Sequence, residues 1–348
     1  MMLAVYTTQQ KVGVVIGAVL VLGWLGYLIT HLMKAGAPPG SEIELAPNRK
    51  PYFDDDKLET KKLDAALGVA LLLTAVSAVG LPAYWVRESG RQVGALKGFH
   101  ERSVERGHSL FQPTDSPIEG AHFGCATCHG ADGGGGVTKY SITDFLGRTE
   151  QVTWAAPAVN TVAYRYSTAQ IRQTLVYGRA GSPMPAWGTK GGGPMNDQQI
   201  DDLVAFLEQP AEEKGLKISN EAAREQARQN AEGDARRGGR IDGSGEPIID
   251  GESLFNGNCA RCHTRGFSFN RPEVAGGGRY GPSLRGGSTV RQFPKVEEMI
   301  KFIKLSAAYG QPYGSGGIGH DAGGGMPHFG EVLSDEDINA IIAYERSL

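Results

Sequence analysis

Cys125-Ala126-Thr127-Cys128-His129 and Cys259-Ala260-Arg261-Cys262-His263 decide how this chain is read. The two runs use all four cysteines of the 348 residues. Two thiols three positions apart lie one helical turn from each other, within reach of the two vinyl groups of one porphyrin, and the next residue puts an imidazole under the ring. Structural zinc would need four N or S ligands, so each pair would have to borrow from elsewhere in its surroundings. A dithiol redox pair opens a helix after a strand, and no strand pattern precedes either run. The histidine after each pair therefore decides for thioether attachment: Cys125, Cys128, Cys259 and Cys262 are expected to carry two covalent haem c groups, with His129 and His263 on the irons.

A haem c iron that relays electrons takes a second axial ligand, usually a thioether. Gly181-Ser182-Pro183-Met184-Pro185 offers one after His129, and Gly323-Gly324-Gly325-Met326-Pro327 offers the other after His263. Met184 and Met326 are the expected sixth ligands, with Met195 as runner-up in the first unit and Met299 read as core. His122, His320 and His328 are rival ligands, each read instead as a surface or haem-edge side chain. The proximal imidazoles also need an acceptor for the other ring nitrogen, and the loops at Pro157 and Pro282 occupy matching places, so these two prolines are assigned to holding it. Arg261, Arg265, Arg279 and Arg285 crowd the second motif, where a haem propionate partner and a solvated basic face are equally good readings.

Outside the motifs the chain repeats itself. Gly107-x-Ser109-Leu110-Phe111 recurs as Gly251-x-Ser253-Leu254-Phe255. Asn196-Asp197-Gln198-Gln199-Ile200 recurs as Ser334-Asp335-Glu336-Asp337-Ile338, each opening a helix with a capping residue and an acceptor three positions on. Phe111 precedes Cys125 by 14 residues and Phe255 precedes Cys259 by 4, so the first copy carries a surface insertion of about ten residues. The two units are placed at 87–209 and 250–348. Between them, 210–249 is rich in Glu and Arg with few apolar residues beyond alanine, and reads as a linker, partly helical at best.

Upstream, Val12 to Met33 runs without a formal charge and is long enough to span a bilayer core. Ala65 to Val86 does the same, with Tyr84 and Trp85 as an interfacial belt. This predicts an external segment 1–11, spans 12–33 and 65–86, and an intervening cytoplasmic loop 34–64 whose Lys34, Arg49, Lys50, Lys57, Lys61 and Lys62 set the orientation. A signal peptide would have a basic start and a shorter apolar core. Net charge is −3 with 21% charged residues, which leaves no polybasic field for nucleic acid. Glycine, at 50 residues, foretells short helices joined by long loops.

On these motifs the chain resembles tandem class I cytochrome c domains, over roughly Val104 to Glu208 and Asp250 to Leu348. In layout it is similar to the dihaem subunit of cbb3-type oxidases and to dihaem c subunits of bc-type quinol:cytochrome c reductases. The resemblance implies a mainly α fold, a two-helix transmembrane anchor followed by two class I cytochrome c domains. It implies an electron-transfer subunit of a respiratory complex in the cell inner membrane, haem domains on the periplasmic side, with other subunits and a cytochrome c or oxidase as partners. A dihaem peroxidase and a free-standing anchored electron shuttle are the alternatives. No catalytic base, nucleophile or open metal site is evident in the sequence, so the chain reads as a subunit rather than a complete enzyme.

Overall fold

The computed structural model describes residues 8–34, 61–143, 146–306 and 326–348. The chain forms two units, 1–99 and 100–348. In the first, helix α1 (Thr8–Lys34) and the start of helix α2 (Lys61–Phe111) are each long and apolar enough to cross a membrane. Their apolar windows have mean hydropathy of 2.1 and 2.0, and no residue of either window is buried. Leu20, Leu22, Leu72 and Leu81 are each more than 60% exposed, a surface that only lipid or another apolar partner would cover. Any side chain at Gly13 would overlap the Trp85 ring, so the glycine allows the two helices to approach closely there. The expected spans fall inside these helices. The boundary placed at residue 87 does not interrupt α2, which continues unbroken through Pro82 to Phe111. Proline removes only one donor of the ladder, and no stop signal follows it.

The second unit is built from the two copies. The first comprises the end of α2, α3 (Cys125–His129), strands β1 (Gly136–Thr143) and β2 (Thr149–Ala156), α4 (Thr168–Tyr177) and α5 (Asp197–Glu208). The second comprises α7 (Gly251–Asn258), α8 (Ala260–His263), α9 (Ser288–Gln292), α10 (Val296–Leu305) and α11 (Asp335–Ser347), preceded by α6 (Asn220–Arg237). Asn196 and Ser334 cap α5 and α11 with reciprocal bonds to Gln199 and Asp337, which satisfies amides that would otherwise lack partners.

The repeated glycine has a packing cause. At Gly107 a Cβ would strike the Asp202 carbonyl and the Phe206 side chain; at Gly251 it would strike the Ala340 carbonyl and Tyr344. Each glycine thus lets the opening helix cross the closing helix at backbone contact, and the aromatic pair beside it fixes the crossing. Phe111 and Phe206 have ring centroids 5.6 Å apart, Phe255 and Tyr344 5.4 Å. In the first copy an ion pair between the exposed Arg106 and the buried Asp202 adds to this. Burial pushes the Asp202 carboxyl up, but donors from Arg106, Ser103 and Gln198 outweigh it and hold it below the ordinary value. Gly251→Ala is expected to cost about 1–3 kcal/mol, the usual penalty of overpacking, read as a lower thermal midpoint. An unchanged melt would mean that the helices do not depend on this contact.

Two elements depart from the sequence expectation. The segment read as a linker, partly helical at best, holds the 18-residue α6, whose Ala223, Ala227, Ala231 and Ala235 are buried. The stripe packs on α7 so closely that a side chain at Gly257 would meet the Ala231 backbone. Alanine is the strongest helix former, and its small side chain permits this approach. The second departure is the antiparallel hairpin β1–β2 within the first copy, in register from Gly136 opposite Ala156 to Thr143 opposite Thr149.

Candidate haem sites

Each Cys-x-x-Cys-His run folds as a short helical turn, α3 and α8, as its spacing requires. None of the four cysteines forms a disulfide. Burial pushes the Cys125 thiol up to about 12 and the Cys259 thiol well above its ordinary value. A dithiol redox motif or a thiolate metal site needs the opposite shift, since the thiolate is its reactive form. Buried, unionised thiols in an apolar wall suit addition to a vinyl group.

Both motif histidines are held as oriented, neutral imidazoles. Nδ1 of His129 donates to the Pro157 carbonyl at 2.8 Å, and Nδ1 of His263 donates to the Pro282 carbonyl at 2.9 Å. Burial is the main cause lowering both imidazole pKa values, which favours the neutral form. With the proton held on Nδ1 by a carbonyl that can only accept, the Nε2 lone pair is left for a metal. In the second copy Gly281 makes this approach possible, because a Cβ there would overlap the His263 ring.

The structure places Met184 at the edge of the first domain's apolar cluster together with Cys125, Phe123 and Trp187. Met326 borders the second cluster, which contains Cys259. In each copy the methionine and the first cysteine therefore line one apolar body. Met195 is fully buried in the first core and Met299 is 3% exposed in the second, both as packing residues. The His122 ring nitrogens lie 2.8 and 2.6 Å from the carbonyls of Ser109 and Ile118, which occupies both. His320 and Gly323 to Gly325 lie outside the described residues. His328 is buried, and its amide donates to the Arg165 carbonyl at 3.0 Å.

Of the four arginines near the second motif, Arg265 pairs with Glu273 at 3.4 Å and Arg285 donates to the Ala275 carbonyl. The other two reach the first copy. Arg261 bonds the Ala155 carbonyl, and Arg279 donates to the Gly181 carbonyl at 2.9 Å, as does the Tyr280 hydroxyl at 3.0 Å. Gly181 precedes Met184, and Tyr280 precedes the Gly281-Pro282 loop that holds His263. The methionine loop of one site thus touches the histidine loop of the other. Trp154 of β2 seals this seam against Phe269, with Arg279 over its ring at 5.0 Å. The hairpin was missed from the sequence, although Val, Thr, Tyr and Ile fill β1 and Val152 and Trp154 alternate in β2, a period-two signal around a short glycine-containing turn.

The residues present fit haem c in both copies: a pair of unbridged thiols one helical turn apart, a neutral imidazole with Nε2 free, and a thioether on the same apolar body as the first thiol. When bound, the group would supply a one-electron iron couple tuned by its axial ligands. The chain's part is to hold the imidazole tautomer, keep water from the apolar wall and fix the two sites side by side.

Residues 104–210 match the family described as Cytochrome c. Residues 246–344 match the family described as Cytochrome C oxidase, cbb3-type, subunit III. No curated protein and no solved structure matches the chain.

Proposed function

Since the chain carries two class I cytochrome c domains in tandem, the hallmark of electron transfer, we propose that it is a membrane-anchored dihaem electron-transfer subunit of a haem-copper oxidase complex. It relays single electrons between the oxidase core and a partner cytochrome. The observation that carries this reading is the contact between the two sites, through which the Met184 loop meets the His263 loop by way of Gly181, Arg279 and Tyr280. Two redox sites held in direct contact serve a relay, whereas a peroxidase needs one iron with an open position. The match of residues 246–344 favours an oxidase over a quinol:cytochrome c reductase as host. The two apolar helices supply the anchor, and the lysines and arginines between them put that loop in the cytoplasm and the haem domains on the periplasmic face of the inner membrane.

After extraction in mild detergent, the chain is expected to migrate on native gels with haem-copper oxidase activity. Migration as a separate species, with full oxidase activity elsewhere, would instead make it a free-standing anchored shuttle.

A further inference from the structure

Three arginines at the seam between the two cytochrome c domains, Arg165, Arg179 and Arg261, are in no ion pair among the described residues. Nε of Arg165 is buried without a hydrogen-bond partner, while its Nη2 donates to the Ala158 carbonyl at 2.9 Å. Arg179, in the loop before Met184, shares the Tyr166 ring with it: the two guanidinium carbons lie 6.0 and 5.9 Å from the ring centroid. Arg261 comes from the opposite domain and bonds the Ala155 carbonyl. Arg165 and Arg261 bond carbonyls three residues apart, Ala158 and Ala155, which brings a cation of each domain to one stretch of backbone. Like charges buried together cost several kcal/mol per ion unless an anion answers them. Guanidinium geometry selects a planar, two-pronged acceptor, a carboxylate above all.

The placement is reciprocal. Arg261 belongs to the second haem motif, yet its bond to Ala155 ends two residues from Pro157, whose carbonyl holds the His129 ring. Arg165 belongs to the first domain, yet its carbonyl accepts from the amide of His328, two residues past Met326. A haem carries two propionate carboxylates and would bring the missing anions to this seam. Resting on the haem reading above, we infer that Arg165, Arg179 and Arg261 form one carboxylate site, built by both domains, that receives haem propionates and lets each domain set the potential of the other's haem.

Redox titration of the full-length protein in detergent, followed by optical spectroscopy, tests this. The first-haem wave is identified as the one absent from a Cys125→Ser/Cys128→Ser chain. Removing a nearby cation favours the oxidised iron, so Arg261→Gln is expected to lower the first-haem midpoint. The expected change in the reduced-to-oxidised ratio at fixed potential is about tenfold, or about 59 mV for one electron. Arg261→Lys should restore most of the shift, and the propionate bending mode in resonance Raman spectra should move in the glutamine variant. Arg165→Gln is expected to lower the second-haem midpoint; should that variant fail to fold, the half-buried Arg261 still decides. A shift confined to the second haem in Arg261→Gln would overturn the exchange between domains. Two bound haems with unmoved midpoints and an unmoved propionate mode would overturn the site while leaving the haem reading intact. A parent chain without covalent haem would overturn that reading itself.

Discussion

Replacing Cys259 and Cys262 together by serine is expected to halve the covalent haem content, from two per chain to one, in a pyridine haemochrome assay. The basis is local. Cys259 and Cys262 flank the first turn of α8, His263 follows at once, and the Pro282 carbonyl orients its ring. Each copy contains its own full set of these parts, so loss of one set leaves the other able to load. Cys125→Ser/Cys128→Ser should give the same stoichiometry with the opposite haem retained. The second domain should also lose stability in the variant, because Cys259 is part of its core and a haem bound to the native state contributes folding free energy. Two covalent haems surviving in either double variant would show that attachment does not use these thiols, and the reading of both sites would fall.

How much was legible follows from where the physics is local. A haem motif is a constraint over five residues, and a capping box over four, so both can be read from spacing alone. The crossing of opening and closing helices was half visible: Gly107 and Gly251 stood out as repeated. The meeting of the helices depends on contacts across about a hundred residues, which spacing does not contain. Helix α6 was underread because its apolar face is made only of alanine at every fourth position, a stripe that carries little hydropathy yet packs on α7 at backbone distance. The continuity of α2 was hidden for a related reason. Past Val86 the composition turns polar, and polarity marks the end of a lipid-facing stretch without marking the end of a helix. Arg165 could not be singled out at all. In sequence it is one of many arginines, and only burial with an unpartnered Nε distinguishes it.

Met184→His and Met326→His are each expected to abolish one of two near-infrared sulfur-to-iron bands in the oxidised protein, leaving the other at full intensity. The argument starts from loop chemistry. Met184 stands between Pro183 and Pro185, and its amide donates to the Ser182 hydroxyl at 3.2 Å, which fixes the loop without helical packing. Arg179 donates its amide to the Met184 carbonyl at 3.0 Å and closes the turn from the other side. Trp187 then returns to the α4 carbonyl of Leu175 at 2.9 Å, so the loop is tied to the core at its far end. Met326 is held differently, through its carbonyl, which accepts from the Ser306 hydroxyl at the end of α10. Two unlike supports thus bring a methionine to the same place, the rim of an apolar cluster that includes or adjoins the first haem cysteine. Packing alone does not demand that outcome, as the fully buried Met195 and Met299 show by filling the cores without reaching the rim. Exchanging a thioether for imidazole lowers the iron potential as well as removing the band, so the same variants should shift one redox wave downward. Truncation by Met184→Ala or Met326→Ala should instead open one iron to carbon monoxide. Survival of both bands in either histidine variant, or ready carbon monoxide binding by the unmodified protein, would place the sixth ligand elsewhere and return the peroxidase-like alternative.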